Sequence, residues 1–186
     1  TGHPFVHYWL HNGFITINQE KMSKSLNNFF LVKDVLEKYS PDALRFFLLS
    51  THYRSPLDFS DERLDEAERN MERLTDVIAK TKELAKTEGN EETAESRALS
   101  EAADKALAGF KAAMDDDFNT GLASGFMFDL AKAINVYYTA VHNGTAHNQA
   151  AAQHAKAVLK TIMDILGILE KQWKDTESAS SEEYEA

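Results

Sequence analysis

The feature that most constrains this chain is the spacing of its apolar residues beyond residue 60. Leu64, Ala67, Met71, Leu74 and Ile78, with Ala85 one heptad on, alternate steps of three and four. That spacing lines one face of an α-helix and is foreign to a strand, whose faces alternate every two residues. The pattern returns at Leu99, Ala103, Leu107, Phe110 and Met114, then at Leu122, Phe126, Leu130, Ile134, Tyr137 and Val141. A fourth stripe, in a helix starting from about Asn148, carries Val158, Ile162, Ile165 and Leu169. Gly89-Asn90, the acidic turn Asp115-Asp116-Asp117 with Asn119-Thr120, and Asn143-Gly144 interrupt the stripes where helices stop or start. Four amphipathic helices joined by short connections predict an antiparallel bundle, because each stripe needs a partner to leave water. The acidic, Ser-rich stretch 175–186 is expected to lack fixed structure.

Ahead of the bundle the texture changes. Residues 1–60 are rich in aromatics and His, with the boundary near Ser55-Pro56-Leu57-Asp58. Gly13-Phe14-Ile15-Thr16-Ile17 is a β-branched and aromatic run followed by the turn residues Asn18-Gln19-Glu20, which predicts a strand. After Asn28 the spacing becomes helical, with Leu31, Val32, Val35 and Leu36 on one face. Ser40-Pro41-Asp42 opens a second short helix: Ser40 can accept from open amides, Pro41 suits the first helical position and Asp42 complements the dipole. Its apolar face is expected at Leu44, Phe47 and Leu48. The fold class is therefore mainly α, a short α/β segment over 1–60 followed by a helical bundle over 61–174 and a tail over 175–186.

Charge divides along the same line. The chain carries 20 Lys and Arg against 30 Asp and Glu, and a net charge of −10 argues against a general nucleic-acid binder, which needs basic surface to displace counterions. Residues 1–56 nevertheless hold six basic against four acidic residues. Phosphate chemistry is thus expected near the N-terminus, and nucleic acid would meet a local patch. The absence of Cys excludes disulfides, a thiol nucleophile and a thiolate zinc site. No run of about 18 apolar residues could span a membrane, and the first residues do not form a signal peptide. A cytoplasmic location is expected. The missing initiator Met and the abrupt start on Phe5-Val6-His7-Tyr8-Trp9-Leu10 suggest a piece of a longer protein.

Between the expected strand and the next helix lie Lys21-Met22-Ser23-Lys24-Ser25, two ammonium groups and two hydroxyls in five residues. By composition such a loop is either a polyphosphate site or an ordinary solvated turn. In the first case the lysines would meet charge developing on phosphate oxygens, with help from hydroxyls and from amides opening the helix.

The pentad is the second signature loop of class I aminoacyl-tRNA synthetases, and it stands here unsubstituted. The flanking residues sharpen the resemblance. Tyr8-Trp9-Leu10-His11-Asn12-Gly13, Leu26-Asn27-Asn28-Phe29-Phe30, Asp42-Ala43-Leu44-Arg45-Phe46-Phe47-Leu48 and His52-Tyr53-Arg54-Ser55-Pro56 together resemble bacterial cysteinyl-tRNA synthetases more than other members of the class. Met114-Asp115-Asp116-Asp117-Phe118-Asn119-Thr120 is similar to a turn in that family's DALR-type tRNA-binding bundle, so the likeness runs over about residues 1–170.

The resemblance implies the C-terminal part of a ligase that joins cysteine to its tRNA through a cysteinyl-adenylate. Lys24 would be the transition-state contact, Lys21 would assist, Ser23 and Ser25 would bind the phosphates of ATP with its Mg, and Met22 would pack the loop. The family's zinc ligands precede this segment, so no metal site is expected within it, and the chain alone is expected to be inactive. One departure is Asn27-Asn28, where the family usually has Gly after the Leu; Asn tolerates positive φ better than other side chains. Two other readings share these residues. One is the related ligase that joins cysteine to an amino sugar in mycothiol synthesis, without tRNA; the other is a noncatalytic RNA-binding module.

Other residues invite competing interpretations. His3, His7 and His11 recur every four residues, which on a helix would bring three imidazoles together as zinc donors. Pro4 and the lack of an acidic fourth ligand oppose that. Tyr8 and Trp9 suit a core or domain interface better than a stacking platform. Arg45, three residues after Asp42, is expected to pair with it. His52 and Arg54 follow that helix in an aromatic turn, and the resemblance puts them near the tRNA backbone.

Overall fold

The structure is a computed structural model, and it describes residues 2–17, 20–22 and 31–174. Strands β1 (Ile15–Ile17) and β2 (Glu20–Lys21) lead to helices α1 (Val32–Leu36) and α2 (Pro41–Leu49), then to β3 (Leu57–Phe59). The long helices are α3 (Asp61–Lys86), α4 (Ala94–Asp115), α5 (Thr120–His142) and α6 (Gln149–Leu166), followed by one 3-10 turn at Glu170–Trp173. Residues 175–186 lie outside the described residues, as does the expected turn at Asn18-Gln19.

The helices start where the sequence offers a cap. Ser40, Ser60, Thr93, Asn119 and Asn148 each stand just before a helix and accept the amide three residues on. Each cap satisfies one of the amides a helix leaves open at its start. Thr93 goes further, since Ser96 reaches back to its amide and completes a capping box.

The bundle is mainly α as expected, but its neighbours are not those of a simple serpentine. α5 and α6 each pack between α3 and α4, while α3 and α4, consecutive in the chain, stand across the bundle from each other. Its core includes Leu64, Leu74, Ile78, Leu99, Phe110, Met127, Leu130, Ile134, Tyr137, Leu159 and Ile162. At the far end of α3 a buried polar knot closes the bundle. Tyr137 Oη lies 3.2 Å from His147 Nδ1 and accepts the Asn148 amide at 2.8 Å, and His147 Nε2 lies 2.9 Å from the Leu84 carbonyl. A carbonyl can only accept, so Nε2 carries a proton and Nδ1 can accept from the tyrosine.

At the near end, where α3 and α5 begin and α4 and α6 finish, α2 and the small sheet pack onto the bundle. Phe46 meets Phe128 of α5 edge-on at 5.7 Å, and Phe47 meets Phe59 likewise at 5.7 Å. The sheet order is β2-β1-β3, with β1 antiparallel to β2 and parallel to β3. β3 was not expected: three residues, Leu57-Asp58-Phe59, are too few to show a period.

Several apolar positions depart from expectation. On α2 the buried residues are Ala43, Phe46 and Phe47, while Leu48 is exposed, because α3 and α5 approach from the side that Phe46 faces. α1 is one short helix that buries only Val35, leaving Leu31, Val32 and Leu36 exposed. Leu122 and Ile165 fit their stripes yet face water, and Leu169 is buried beyond the end of α6 rather than within it. Residues 2–14 form no helix, so His3, His7 and His11 share no helical face. Tyr8 and Trp9 are exposed among the described residues.

Candidate functional site

The pentad grows out of the hairpin. β1 is held on both edges, by Thr16 opposite Lys21 of β2 and by Ile15, Thr16 and Ile17 opposite Leu57, Asp58 and Phe59 of β3. Thr16 Oγ1 donates to Asp58 Oδ1 at 2.8 Å, and the Met22 amide donates to the Ile15 carbonyl at 3.2 Å. Met22 is half-buried, and the backbone of Lys21 completes β2. Ser23, Lys24 and Ser25, and the Asn27-Asn28 pair after them, lie outside the described residues.

Downstream, α2 is fastened to the bundle by polar bonds from three directions. Ser40 donates its amide to Glu68 of α3 at 2.9 Å, and Tyr39 Oη donates to Asp65 at 3.0 Å. Burial first, and then the Asp65 carboxylate, raise the Tyr39 phenol to about 12. Asp42 and Arg45 do not pair with each other. Asp42 Oδ1 accepts the Leu169 amide at 2.9 Å, and Arg45 Nε donates to the Leu166 carbonyl at 2.6 Å. The reason is the end of α6, which leaves backbone groups without helical partners and offers both side chains a better target than each other. Between those two bonds sits Gly167 at φ +64, close under the guanidinium.

The third fastening gathers the residues expected to meet RNA. His52, Tyr53 and Arg54 lie in the turn after α2, and Gly13 lets this turn sit against the start of β1. The Gly13 amide donates to the Tyr53 carbonyl at 2.6 Å, and a Cβ there would fall 2.2 Å from the Ser55 carbonyl oxygen. The His52 and Tyr53 rings stack at 5.0 Å, and the Arg54 guanidinium lies 5.1 Å from the Tyr53 ring centre. All three side chains point at Asp117, in the turn between α4 and α5. Arg54 donates Nε to Oδ2 at 2.5 Å and Nη2 to Oδ1 at 3.1 Å, and Tyr53 Oη donates to Oδ1 at 2.7 Å. His52 Nδ1 accepts the Arg54 amide at 3.2 Å, which leaves Nε2 as its donor, 3.8 Å from Asp117 Oδ2.

These bonds show in the acidities. Arg54 first, then Tyr53, hold the Asp117 carboxyl down at about 2. The same carboxylate raises the Tyr53 phenol and the Arg54 guanidinium above their usual ranges. Sequence reasoning placed Asp117 only in a helix-starting turn. Its partners stand 63 and 64 positions away, beyond any local spacing rule.

Elsewhere several basic residues, Lys80, Arg97 and Lys160 among them, meet acidic neighbours. Lys80 reaches Asp76 at 2.6 Å and Asn135 at 2.9 Å beside an open groove between α3 and α5 lined by Arg73, Asp129 and Lys132. Among the described residues no three His, Cys, Asp or Glu side chains are grouped to hold a metal ion, and no helix is long and apolar enough to cross a membrane.

Residues 1–69 match the family model of the tRNA synthetases class I (C) catalytic domain, and residues 109–170 match the DALR domain. The chain is 50% identical over 169 residues to the cysteine–tRNA ligase of Geobacter metallireducens, covering 90% of this chain and 34% of that protein. It is 49% identical over 177 residues to the cysteine–tRNA ligase of Geotalea uraniireducens, covering 90% of this chain and 36% of that one. The chain thus spans about a third of the length of the curated relatives it matches. Among solved structures it is similar to the LeuRS of Agrobacterium radiobacter K84 in a ternary complex with tRNA and LeuAMS. The TM-score is 0.69 at 19% identity, over 87% of this chain and 22% of that one, a likeness of fold.

Proposed function

Since this chain belongs to the cysteine–tRNA ligase family of class I aminoacyl-tRNA synthetases, we propose that it forms the phosphate-loop and tRNA-facing part of an enzyme that ligates cysteine to its tRNA through a cysteinyl-adenylate. The observation that supports this best is the unsubstituted Lys21-Met22-Ser23-Lys24-Ser25, which begins in β2, the edge strand paired with the central β1. Adenylate formation joins a cysteine carboxylate oxygen to the α-phosphorus of ATP and breaks the bond to pyrophosphate. Negative charge therefore grows on the leaving phosphate oxygens. Lys24 meets that charge, Lys21 assists, and the Ser23 and Ser25 hydroxyls donate to the same oxygens. ATP brings its own Mg2+. Met22, half-buried, packs the stem of the loop.

The division of labour follows the chain. Residues 1–60 close the catalytic side, 61–174 form the RNA-side bundle and 175–186 a tail outside both. Arg54 and His52, at the junction, face the tRNA backbone. A cytoplasmic location goes with this function. Zinc, which the family uses to select the cysteine thiol, is expected on residues outside this chain, which has no Cys. No step is assigned to it. The sugar-ligase reading has no use for tRNA, and the match of residues 109–170 to the DALR domain favours the tRNA ligase.

The test grafts this chain in place of the matching third of the Geobacter metallireducens ligase. The chimaera should catalyse cysteine-dependent ATP–pyrophosphate exchange and charge tRNA, whereas the 186-residue chain alone should do neither. Lys24→Ala in the chimaera should lower the exchange kcat by about 10²–10³-fold, as loss of one donor to a developing oxyanion does, with the KM for cysteine little changed. An equal loss in both would mean that Lys24 is structural. Exchange by the isolated chain would refute the proposal.

A further inference from the structure

Arg54, as it stands, is already spoken for. Two of its donors, the Tyr53 hydroxyl and the His52 Nε2 proton all converge on one carboxylate, that of Asp117. A planar fork, a hydroxyl and an imidazole gathered around two oxygens is the arrangement with which proteins hold a phosphate. The cluster lies at the surface, with the Arg54 and Asp117 side chains 58% and 41% exposed, so a larger anion can reach it. Phe118, beside Asp117, is also exposed.

The carboxylate is delivered by an unusual backbone. Asp117 and Phe118 both have φ +54, the left-handed region that side chains other than Gly occupy at a cost. The turn is held there by the Phe118 amide on the Met114 carbonyl at 3.1 Å, the Asn119 amide on the Ala113 carbonyl at 3.0 Å, and the side-chain bonds to Asp117. An exposed carboxylate–guanidinium pair adds little net stability, so exchange of one oxyanion for another is cheap.

We infer that Asp117 is an internal stand-in for a nucleic-acid phosphate: a phosphodiester of the bound RNA displaces it from Arg54, Tyr53 and His52, and until then it masks this cation. This rests on the reading above that Arg54 faces RNA. It assigns a binding role to Tyr53 and an opposing role to Asp117.

The experiment measures binding of a cysteine tRNA transcript to the 186-residue chain by fluorescence anisotropy over a salt series, with thermal melts to confirm folding. Asp117→Asn keeps the shape and the Tyr53 acceptor but removes the charge, and should tighten binding up to about fivefold, the worth of one competing exposed ion pair. The slope of log K against log salt should steepen by up to about one. Arg54→Ala should weaken binding, and adding it to Asp117→Asn should erase the gain. If Arg54→Ala weakens binding while Asp117→Asn leaves it unchanged or weaker, the stand-in is overturned and the Arg54 contact survives. If Arg54→Ala has no effect in either background, the reading of Arg54 itself falls. A readout on the parent chain guards against a misfolded variant: the Arg54 Nε–H resonance should shift when tRNA is added, and an unmoved resonance would also overturn the inference.

Discussion

Replacing Gly167 with Ala should cost about 2–3 kcal/mol of folding stability, from two separable sources. The first is backbone: Gly167 closes α6 at φ +64, and a residue with a Cβ pays about 1 kcal/mol to stay there. The second is displacement. A Cβ would lie 2.8–2.9 Å from Nη2, Cζ and Nε of Arg45, so the guanidinium must move and its 2.6 Å bond to the Leu166 carbonyl is lost. For a charged donor in a part-buried bond that loss is worth about 1–2 kcal/mol. Urea unfolding of the chain reads the sum. With a slope in the upper part of the usual range, the midpoint should fall by about 1 M with the slope unchanged. The sources separate in a double-mutant cycle. In an Arg45→Ala background, Gly167→Ala should cost only the backbone share, giving a coupling of about 1 kcal/mol or more. If Gly167→Ala costs the same in both backgrounds, the guanidinium does not press on this turn and the account of the α2–α6 fastening is wrong.

Two further outcomes test the Tyr137–His147 knot and the bonds to Asp117. Tyr137→Phe removes the hydroxyl that accepts the Asn148 amide and faces His147, leaving buried polar groups unpaired at a cost of about 1–3 kcal/mol, or several degrees in Tm by calorimetry. Asp117, held at about 2, contributes stability that is fully present above the unfolded carboxyl range and is lost as pH falls through its folded value. The Tm difference between the parent chain and Asp117→Asn should therefore stay constant from pH 7 to about 5 and shrink between about pH 4 and pH 2; a difference that shrinks already between pH 7 and 5 would contradict the assigned bonds.

What could be read ahead was what is local. Ser40, Ser60, Asn119 and Asn148 announce their helices because a cap acts over three residues, and the stripes through Leu74 and Leu130 announce the core because a helix repeats every turn. The same rules misplace Leu48, Leu122 and Ile165. Periodicity gives the width of an apolar stripe, whereas the approach of a neighbouring helix decides which edge of it is covered. Asp42 and Arg45 were three residues apart and so read as a pair, yet each found a backbone group more than 120 positions away at the end of α6. The pentad stays an expectation: its composition left two readings open, and Ser23, Lys24 and Ser25 lie outside the described residues. The carboxylate that occupies Arg54 was not legible, since it comes from a turn whose sequence speaks only of helix ends.

The placement of α3 across the bundle from α4 bears on how the chain assembles during synthesis. A bundle of adjacent hairpins can form pair by pair, but here α2 covers only the start of the first long helix, and that helix's next neighbour in sequence cannot shield the rest of its nonpolar stripe. Cover arrives with α5 and is completed by α6, whose last bonds to α2 span 121 and 127 residues. Such distant closures slow folding and lengthen the time in which a nascent stripe can meet another chain. The stretch from Leu74 to Ala85 is thus the segment that most needs guarding before residue 166 has left the ribosome.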